Sequence, residues 1–199
     1  MRYPAHLQQI MTLLQQLPGV GRRTAERFAF RLLEWPEGRQ QQLGELLLSL
    51  QGAVVLCSSC GAIASPELCP FCADERRKRS RRLCLVAKPR DIFAFEETGA
   101  YDGLYHVLGA LLSPIEGIDE KRLELPKLLE KIRNLSIDEL ILALDATLEG
   151  DATALYLKEK LSPHVSSVSR LAFGMPLGSS FDHVDGETLA RALHGRSRF

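Results

Sequence analysis

The sequence lacks any long apolar run. No stretch approaches the roughly 20 apolar residues that a membrane-spanning helix needs. Polar side chains also interrupt the first ten residues, where a secretory signal would be apolar, at Arg2, His6, Gln8 and Gln9. We therefore expect a soluble cytoplasmic protein with no membrane partner. Because the cytosol is reducing, its cysteines are not expected to form disulfide bonds.

The chain also lacks net charge, internal repeats and a low-complexity tail. Its 199 residues, 45% of them hydrophobic, can bury one moderate core plus small modules. The zero net charge conceals a division, because residues 1–90 carry +7 and residues 91–199 carry −7. The densest positive segment, residues 76–82, holds five arginines and one lysine. This segment is interpreted either as a solvated linker or as a contact for phosphate groups.

Four of the five cysteines form two Cys-x-x-Cys pairs separated by eight residues: Cys57 with Cys60, and Cys69 with Cys72. Two such turns supply the four thiolates that a tetrahedral zinc ion favours. The spacing therefore predicts one structural zinc per chain, with a pair of disulfides or a redox dithiol as the alternatives. The fifth cysteine, Cys84, stands in an apolar run and is predicted to be a buried strand residue.

The first 53 residues have helical periodicity. Apolar residues recur at helical spacing over 7–17 and 25–33, and a third amphipathic stretch runs from about Gln40 to Gln51. Leu17-Pro18-Gly19-Val20-Gly21 separates the first two stretches. This pattern predicts two helices joined by a glycine hairpin, followed by a third helix.

The glycine hairpin is a candidate phosphate site. Gly19 and Gly21 allow backbone amides to approach a phosphate oxygen, and the N-terminus of the next helix adds a positive dipole end. Arg23 and Arg27 lie four residues apart, on one face of that helix, and predict DNA contacts that do not depend on base sequence. An ordinary connection between two helices is the alternative.

The remainder of the chain alternates short apolar segments with helical ones. Strands are predicted at 83–87, 105–108, 139–144 and 168–173, and helices at 91–98, 125–134, 151–161 and 185–194. Such alternation is typical of an α/β domain with a largely parallel sheet covered on both faces.

Several motifs resemble the bacterial recombination mediator RecR family, in the family's order and over essentially the whole chain. They are Met1-Arg2-Tyr3-Pro4, the hairpin from Leu17 to Phe30, the cysteine quartet, Tyr105-His-Val-Leu108, Leu112-Ser-Pro114 and Glu149-Gly-Asp-Ala-Thr153. The resemblance implies a helix-hairpin-helix DNA-binding module at 1–53, a C4 zinc finger at 54–78, a Toprim-like α/β domain at 79–173 and a C-terminal loop and helix at 174–199.

The resemblance also implies a function. Family members act with RecO and RecF in recombinational repair, help RecA onto gapped or single-stranded DNA, and assemble into dimers or ring-like tetramers. Positions matching Arg23 and Arg27 are implied to face DNA. We therefore expect a non-catalytic DNA clamp subunit, with a protein-only adaptor as one alternative.

A magnesium-dependent Toprim enzyme is the second alternative, and two residues disfavour it. Toprim enzymes hold magnesium with a glutamate after the first strand and an Asp-x-Asp motif after a later one. Here Lys88 follows the first strand and Thr147 replaces the second aspartate, so a cation and a hydroxyl stand where anionic ligands are needed. Asp145, Glu149 and Asp151 remain candidates for a partner contact or a weakly held magnesium, or are exposed acids near a helix start.

Overall fold

The computed structural model describes residues 3–176 and 178–196. Met1 and Arg2, which open the first of the family motifs, lie outside the described residues, as do Leu177 and residues 197–199. The chain forms two compact units, Met1–Ala53 and Val54–Phe199, and each is described by itself. Within the described ranges, no helix is both long enough and apolar enough to cross a membrane.

The first unit consists of α1 (Ala5–Leu14), α2 (Arg22–Leu33) and α3 (Glu37–Ala53). Helices α1 and α2 pack against each other, and their buried residues are Met11, Ala25 and Ala29. The connection turns sharply at Gly19, whose φ of +79° lies in the left-handed region that favours glycine. The predicted helical hairpin is therefore confirmed.

The third helix is present but is longer than predicted and carries no buried residue. Its side chains Leu46, Leu47 and Leu50 are exposed. With α1 and α2 it lines an apolar groove of about 640 Å³, whose walls include Leu7, Ile10, Leu14, Leu32, Leu43 and Leu47. The apolar face of α3 is therefore open to solvent in this chain.

The second unit contains a four-stranded parallel sheet, as predicted. Its strands are β3 (Arg82–Val86), β4 (Leu104–Val107), β5 (Glu139–Ala143) and β6 (Ser167–Arg170), in the order β4-β3-β5-β6. The register places Leu83 opposite Leu104 and Leu140, and Leu140 opposite Val168. Three predicted strands differ from these by at most one residue at each end, while β6 ends three residues earlier than predicted.

The long helices of this unit are α6 (Asp91–Thr98), α7 (Leu125–Asn134), α8 (Leu148–Leu161) and α9 (Gly186–His194). The bounds of α6 and α7 agree with the prediction. Helix α8 begins three residues before the predicted start, because the Thr147 side chain caps it by accepting a hydrogen bond from the Gly150 amide. Helix α9 is capped in the same way by Asp185.

The two faces of the sheet have different coverings. On one face, alternate strand residues such as Leu83, Leu85 and Leu140 pack against α7 and α8. On the other, Cys84, Val86 and Tyr105 pack against α6 and against the segment that contains the cysteine pairs. The prediction of a sheet covered on both faces is confirmed, but part of one cover is not a long helix.

That segment, residues 54–73, is here called the cysteine finger. It holds the antiparallel pair β1 (Val55–Leu56) and β2 (Ile63–Ala64) and the short helix α4 (Pro70–Ala73); α5 (Glu75–Arg79) follows it. The finger meets the sheet at β4, where the Val107 amide donates to the Cys60 carbonyl at 2.8 Å. Finger residues Cys60, Ala62 and Phe71 share one apolar cluster with the sheet. The finger is therefore packed onto the sheet and is not a separate lobe.

Candidate metal centre and nucleic-acid interface

The side chains of the four paired cysteines converge within the cysteine finger. Their Sγ atoms all lie within 4.8 Å of one another, and the closest approaches are 3.9 Å between Cys57 and Cys72 and 3.6 Å between Cys60 and Cys69. These separations exceed the ~2.05 Å of a disulfide bond, and all four thiols are free. The prediction that the quartet is one cluster, not two disulfides, agrees with this geometry.

The cluster fits a tetrahedral metal ion. Four sulfurs at about 2.3 Å from one zinc would lie about 3.8 Å apart, close to the observed separations. A backbone hydrogen bond fixes the first Cys-x-x-Cys turn, because the Gly61 amide donates to the Cys57 carbonyl at 2.8 Å. Gly61 adopts a φ of +75°, which only glycine reaches without strain. The four cysteines therefore have the geometry of a metal site.

The thiols differ in acidity in a way that suits a cation. The hydrogen bond with Cys60 is the largest cause that lowers the pKa of Cys72, to about 5, while the pKa of Cys60 is raised by its hydrogen bond with Cys72 and by burial. One thiol of this pair is therefore readily ionised, and the thiolate is the form that binds a metal ion. Cys84 lies apart in β3, where burial raises its pKa to about 12, so it is an inert core thiol as predicted.

The glycine hairpin presents a positive helix end to solvent. The first turn of α2 has no acidic residue, and Gly21 precedes it in extended conformation. Arg23 and Arg27 are both exposed, on the face opposite the buried Ala25 and Ala29. A phosphate at this end would meet both the helix dipole and two guanidinium groups.

The basic segment 76–82 is largely engaged within the fold. The Arg77 guanidinium donates to Glu96 at 2.6 Å and to the Gly103 carbonyl at 3.0 Å, and it lies 5.4 Å from the centre of the Phe71 ring. Arg81 pairs with Asp138, and Arg82 pairs with Asp102. These contacts hold the segment against the sheet. Most of the segment is therefore neither a solvated linker nor free to bind phosphate groups.

Among the described residues, the carboxylates near the carboxyl edge of the sheet do not form a cluster. Lys88 is exposed after β3, and Thr147 uses its hydroxyl to cap α8. In the described parts of the chain, the cysteine quartet is the only group of three or more Cys, His, Asp or Glu side chains close enough to share an ion. Asp145 is exposed and Glu149 is half-buried, but neither joins such a group.

The Asp151 carboxylate is instead taken by two arginines. Arg170 donates to it at 2.6 Å and Arg191, on α9, at 3.1 Å. The hydrogen bond from Arg170 is the largest cause that lowers the pKa of Asp151, and Arg191 adds to it. Both guanidinium groups also lie over the Phe173 ring, at 4.5 and 5.0 Å from its centre. Asp151 thus ties α9 to the sheet.

Sequence reasoning missed two kinds of functional residue. Gly150 must be glycine, because a Cβ there would lie 2.0 Å from the Asp145 carbonyl oxygen. Lys131, on α7, donates to the carbonyls of Ser59 and Tyr105 and so joins the finger to the sheet. The motif Glu149-Gly-Asp could have pointed to Gly150. No local pattern marks Lys131, because the carbonyl of Ser59 to which it donates lies 72 residues away in the sequence.

Comparisons with known proteins agree with this architecture. Family models match a Toprim domain at residues 81–172, a RecR helix-hairpin-helix region at 7–50 and a RecR C-terminal region at 174–197. Proteins described as recombination protein RecR are similar to this chain in Protochlamydia amoebophila (49% identical), Chlamydia abortus (48%) and Chlamydia trachomatis serovar D (45%). Each alignment covers 100% of both proteins. The chain, with its helical hairpin, cysteine cluster and Toprim sheet, therefore belongs to the RecR family of recombination proteins.

Proposed function

We propose that this chain is a non-catalytic, DNA-binding clamp subunit of recombinational repair, acting in the cytoplasm with RecO and RecF to help load RecA onto gapped or single-stranded DNA. Membership of a recombination family supports the repair role. The observation that carries DNA binding is the exposed N-terminal turn of α2. There Gly19 and Gly21 leave the backbone amides accessible, and the exposed Arg23 and Arg27 supply positive charge to phosphate groups along one DNA strand.

Charge reversal tests the DNA contact. Replacing Arg23 and Arg27 together by Glu removes two phosphate contacts, so the slope of log affinity against log salt falls in magnitude by about 1.4 on single-stranded and about 1.8 on duplex DNA. Binding weakens without regard to base sequence, as fluorescence anisotropy with two unrelated oligonucleotides would measure. The matched control is Arg122→Glu with Arg133→Glu, which changes the net charge equally at exposed positions of the second unit. Equal loss in both double variants would refute the assignment.

For the metal, we propose one structural zinc per chain, held by Cys57, Cys60, Cys69 and Cys72. The all-sulfur donor set and sulfur separations near those of a ZnS₄ tetrahedron support this ion. The zinc would fix the finger and leave no open coordination position for substrate. Elemental analysis should find one zinc per chain, and Cys57→Ser should lose it. A different metal, or none, would contradict the proposal.

A homo-oligomer, either a dimer or a ring-like tetramer, is proposed from the first unit. The exposed leucines of α3 and the apolar groove beside them form a surface suited to another copy of this chain. Light scattering should give a molecular mass of two or four times the 22.2 kDa of one chain. Leu47→Glu should lower that molecular mass. Leu155→Glu, at an exposed leucine of α8, is the control. A monomeric wild type would refute this part.

The absence of catalysis is proposed from Lys88, Thr147 and the engagement of Asp151 by two arginines. Magnesium-dependent cleavage of DNA by the wild type, lost in Asp145→Ala, would overturn it in favour of a Toprim phosphoryl-transfer enzyme.

Partner binding is proposed at Asp145 and Glu149, whose charge suits a basic surface on RecO or RecF. Glu149→Arg should weaken capture of that partner while DNA binding by the chain itself is kept. A protein-only adaptor would instead show no DNA binding at low salt, and DNA would not displace its partner.

A further inference from the structure

The cysteine finger contains no cation of its own. Between residues 54 and 73 the sequence has no Lys, Arg or His, and Glu67 is its one ionisable residue besides the cysteines. Four thiolates around a divalent ion carry a formal charge of −2. A half-buried site of this charge is stabilised by a positive group nearby, which another part of the chain must provide.

Lys131 lies where such a group is needed. Its Nζ donates to the Ser59 carbonyl at 3.0 Å and to the Tyr105 carbonyl at 3.1 Å. Ser59 stands inside the first Cys-x-x-Cys turn, between Cys57 and Cys60, while Tyr105 belongs to β4. The ammonium group therefore bridges the backbone of the first cysteine turn and the strand on which the finger rests.

The charge of Lys131 is not neutralised by a carboxylate within residues 3–176 and 178–196, where its two acceptors are carbonyl oxygens. Lys127, one turn earlier on α7, differs, because its Nζ pairs with Glu124 at 2.8 Å. Arg77 also approaches the finger, at Phe71, but its guanidinium is paired with Glu96 at 2.6 Å. Of these three cations, Lys131 is the one whose charge is available to the thiolates.

We propose that Lys131 is a positioning residue for the cysteine-bound metal: it fixes the first cysteine turn through the Ser59 carbonyl and supplies the counter-charge that the finger lacks. The inference rests on the proposed zinc. Groups around the ligands of a metal site commonly change metal affinity by about 10- to 100-fold when they are replaced. Lys131 lies on α7, outside the finger, so zinc retention would depend on the finger being docked.

Zinc transfer to a chromophoric chelator tests the proposal on the full-length, zinc-loaded protein. Lys131→Met keeps the length and the apolar stem but removes the charge and the donor, and should weaken zinc retention about tenfold or more. Lys131→Arg keeps a cation and should stay within about threefold of the wild type. Lys127→Met, on the same helix, is the control and should not differ from the wild type. Lys131→Gln replaces Lys131→Met if the latter does not fold.

The outcomes separate this proposal from the zinc assignment. A wild type without zinc refutes the assignment itself. If the wild type holds zinc and Lys131→Met retains it equally well, Lys131 only packs against the finger and the inference is overturned. Equal weakening in Lys131→Arg and Lys131→Met, or in Lys127→Met, overturns it too, because the loss would then not follow the positive charge at this position.

Discussion

Gly61→Ala should loosen the cysteine finger from the sheet. Gly61 has a φ of +75°, and a Cβ there would lie 2.7 Å from the Cβ of Val107. The left-handed backbone costs an L-residue about 1–2 kcal/mol, and forcing an extra carbon into a packed contact costs about 1–3 kcal/mol more. Since Val107 cannot withdraw its Cβ without moving β4, we expect a loss of about 2–5 kcal/mol in the free energy of unfolding.

Gly109→Ala separates the two contributions. Gly109 lies in the same unit with a φ of +76°, but a Cβ there would meet no atom within 4 Å. It should therefore show only the backbone cost of about 1–2 kcal/mol. Urea unfolding at a fixed free zinc concentration, followed by far-UV circular dichroism, compares the two variants. Hydrogen exchange of the Val107 amide, which donates to the Cys60 carbonyl, reads the docking contact directly.

One result for Gly61→Ala and Gly109→Ala would contradict the close packing of Gly61 against Val107. If Gly61→Ala loses no more stability than Gly109→Ala, and the Val107 amide remains equally protected in both, the finger does not pack against β4 as closely as described.

Two further changes probe the second unit. Thr153→Val should cost about 1–3 kcal/mol in urea unfolding, because the Leu112 amide loses the Thr153 hydroxyl that accepts its hydrogen bond at 2.8 Å, whereas Thr153→Ser should be milder. Asp151→Asn should free α9 and speed tryptic cleavage after Arg191 at neutral pH; unchanged cleavage would contradict this. The fold lowers the pKa of Asp151, and the hydrogen bond from Arg170 is the largest cause. The ionised carboxylate therefore stabilises the folded state above about pH 4, and this stabilisation is lost as the pH falls further. Hydrogen exchange in α9 would detect the loss.

The sequence predicted local structure well because that structure depends on neighbouring residues. The spacing of apolar residues predicted the hairpin of α1 and α2, and the apolar run at 83–87 predicted the buried strand β3. The cysteine cluster was predictable for the same reason, since each Cys-x-x-Cys turn is nearly complete within four residues.

The contacts that organise the second unit could not be predicted in this way. Arg77 meets Glu96 across 19 residues, and Arg191 meets Asp151 across 40. In sequence, Arg77 is one cation of a basic run, and nothing adjacent shows that it will lie beside the Phe71 ring. The order of the strands in the sheet decides which charged side chains form internal ion pairs. Local periodicity in the sequence does not specify that order.

The shared packing of Phe71, Ala62 and Tyr105 makes the finger one wall of the sheet core. Removing its metal would therefore do more than relax a loop, because the apolar side chains it holds in place would no longer shield that face of β3 and β4. If the proposed zinc occupies the cysteine site, its binding free energy is added to the folding free energy of the second unit. With the proposed zinc in place, a shortage of zinc in the cell would then lower the amount of folded protein without changing any residue of the proposed DNA contact.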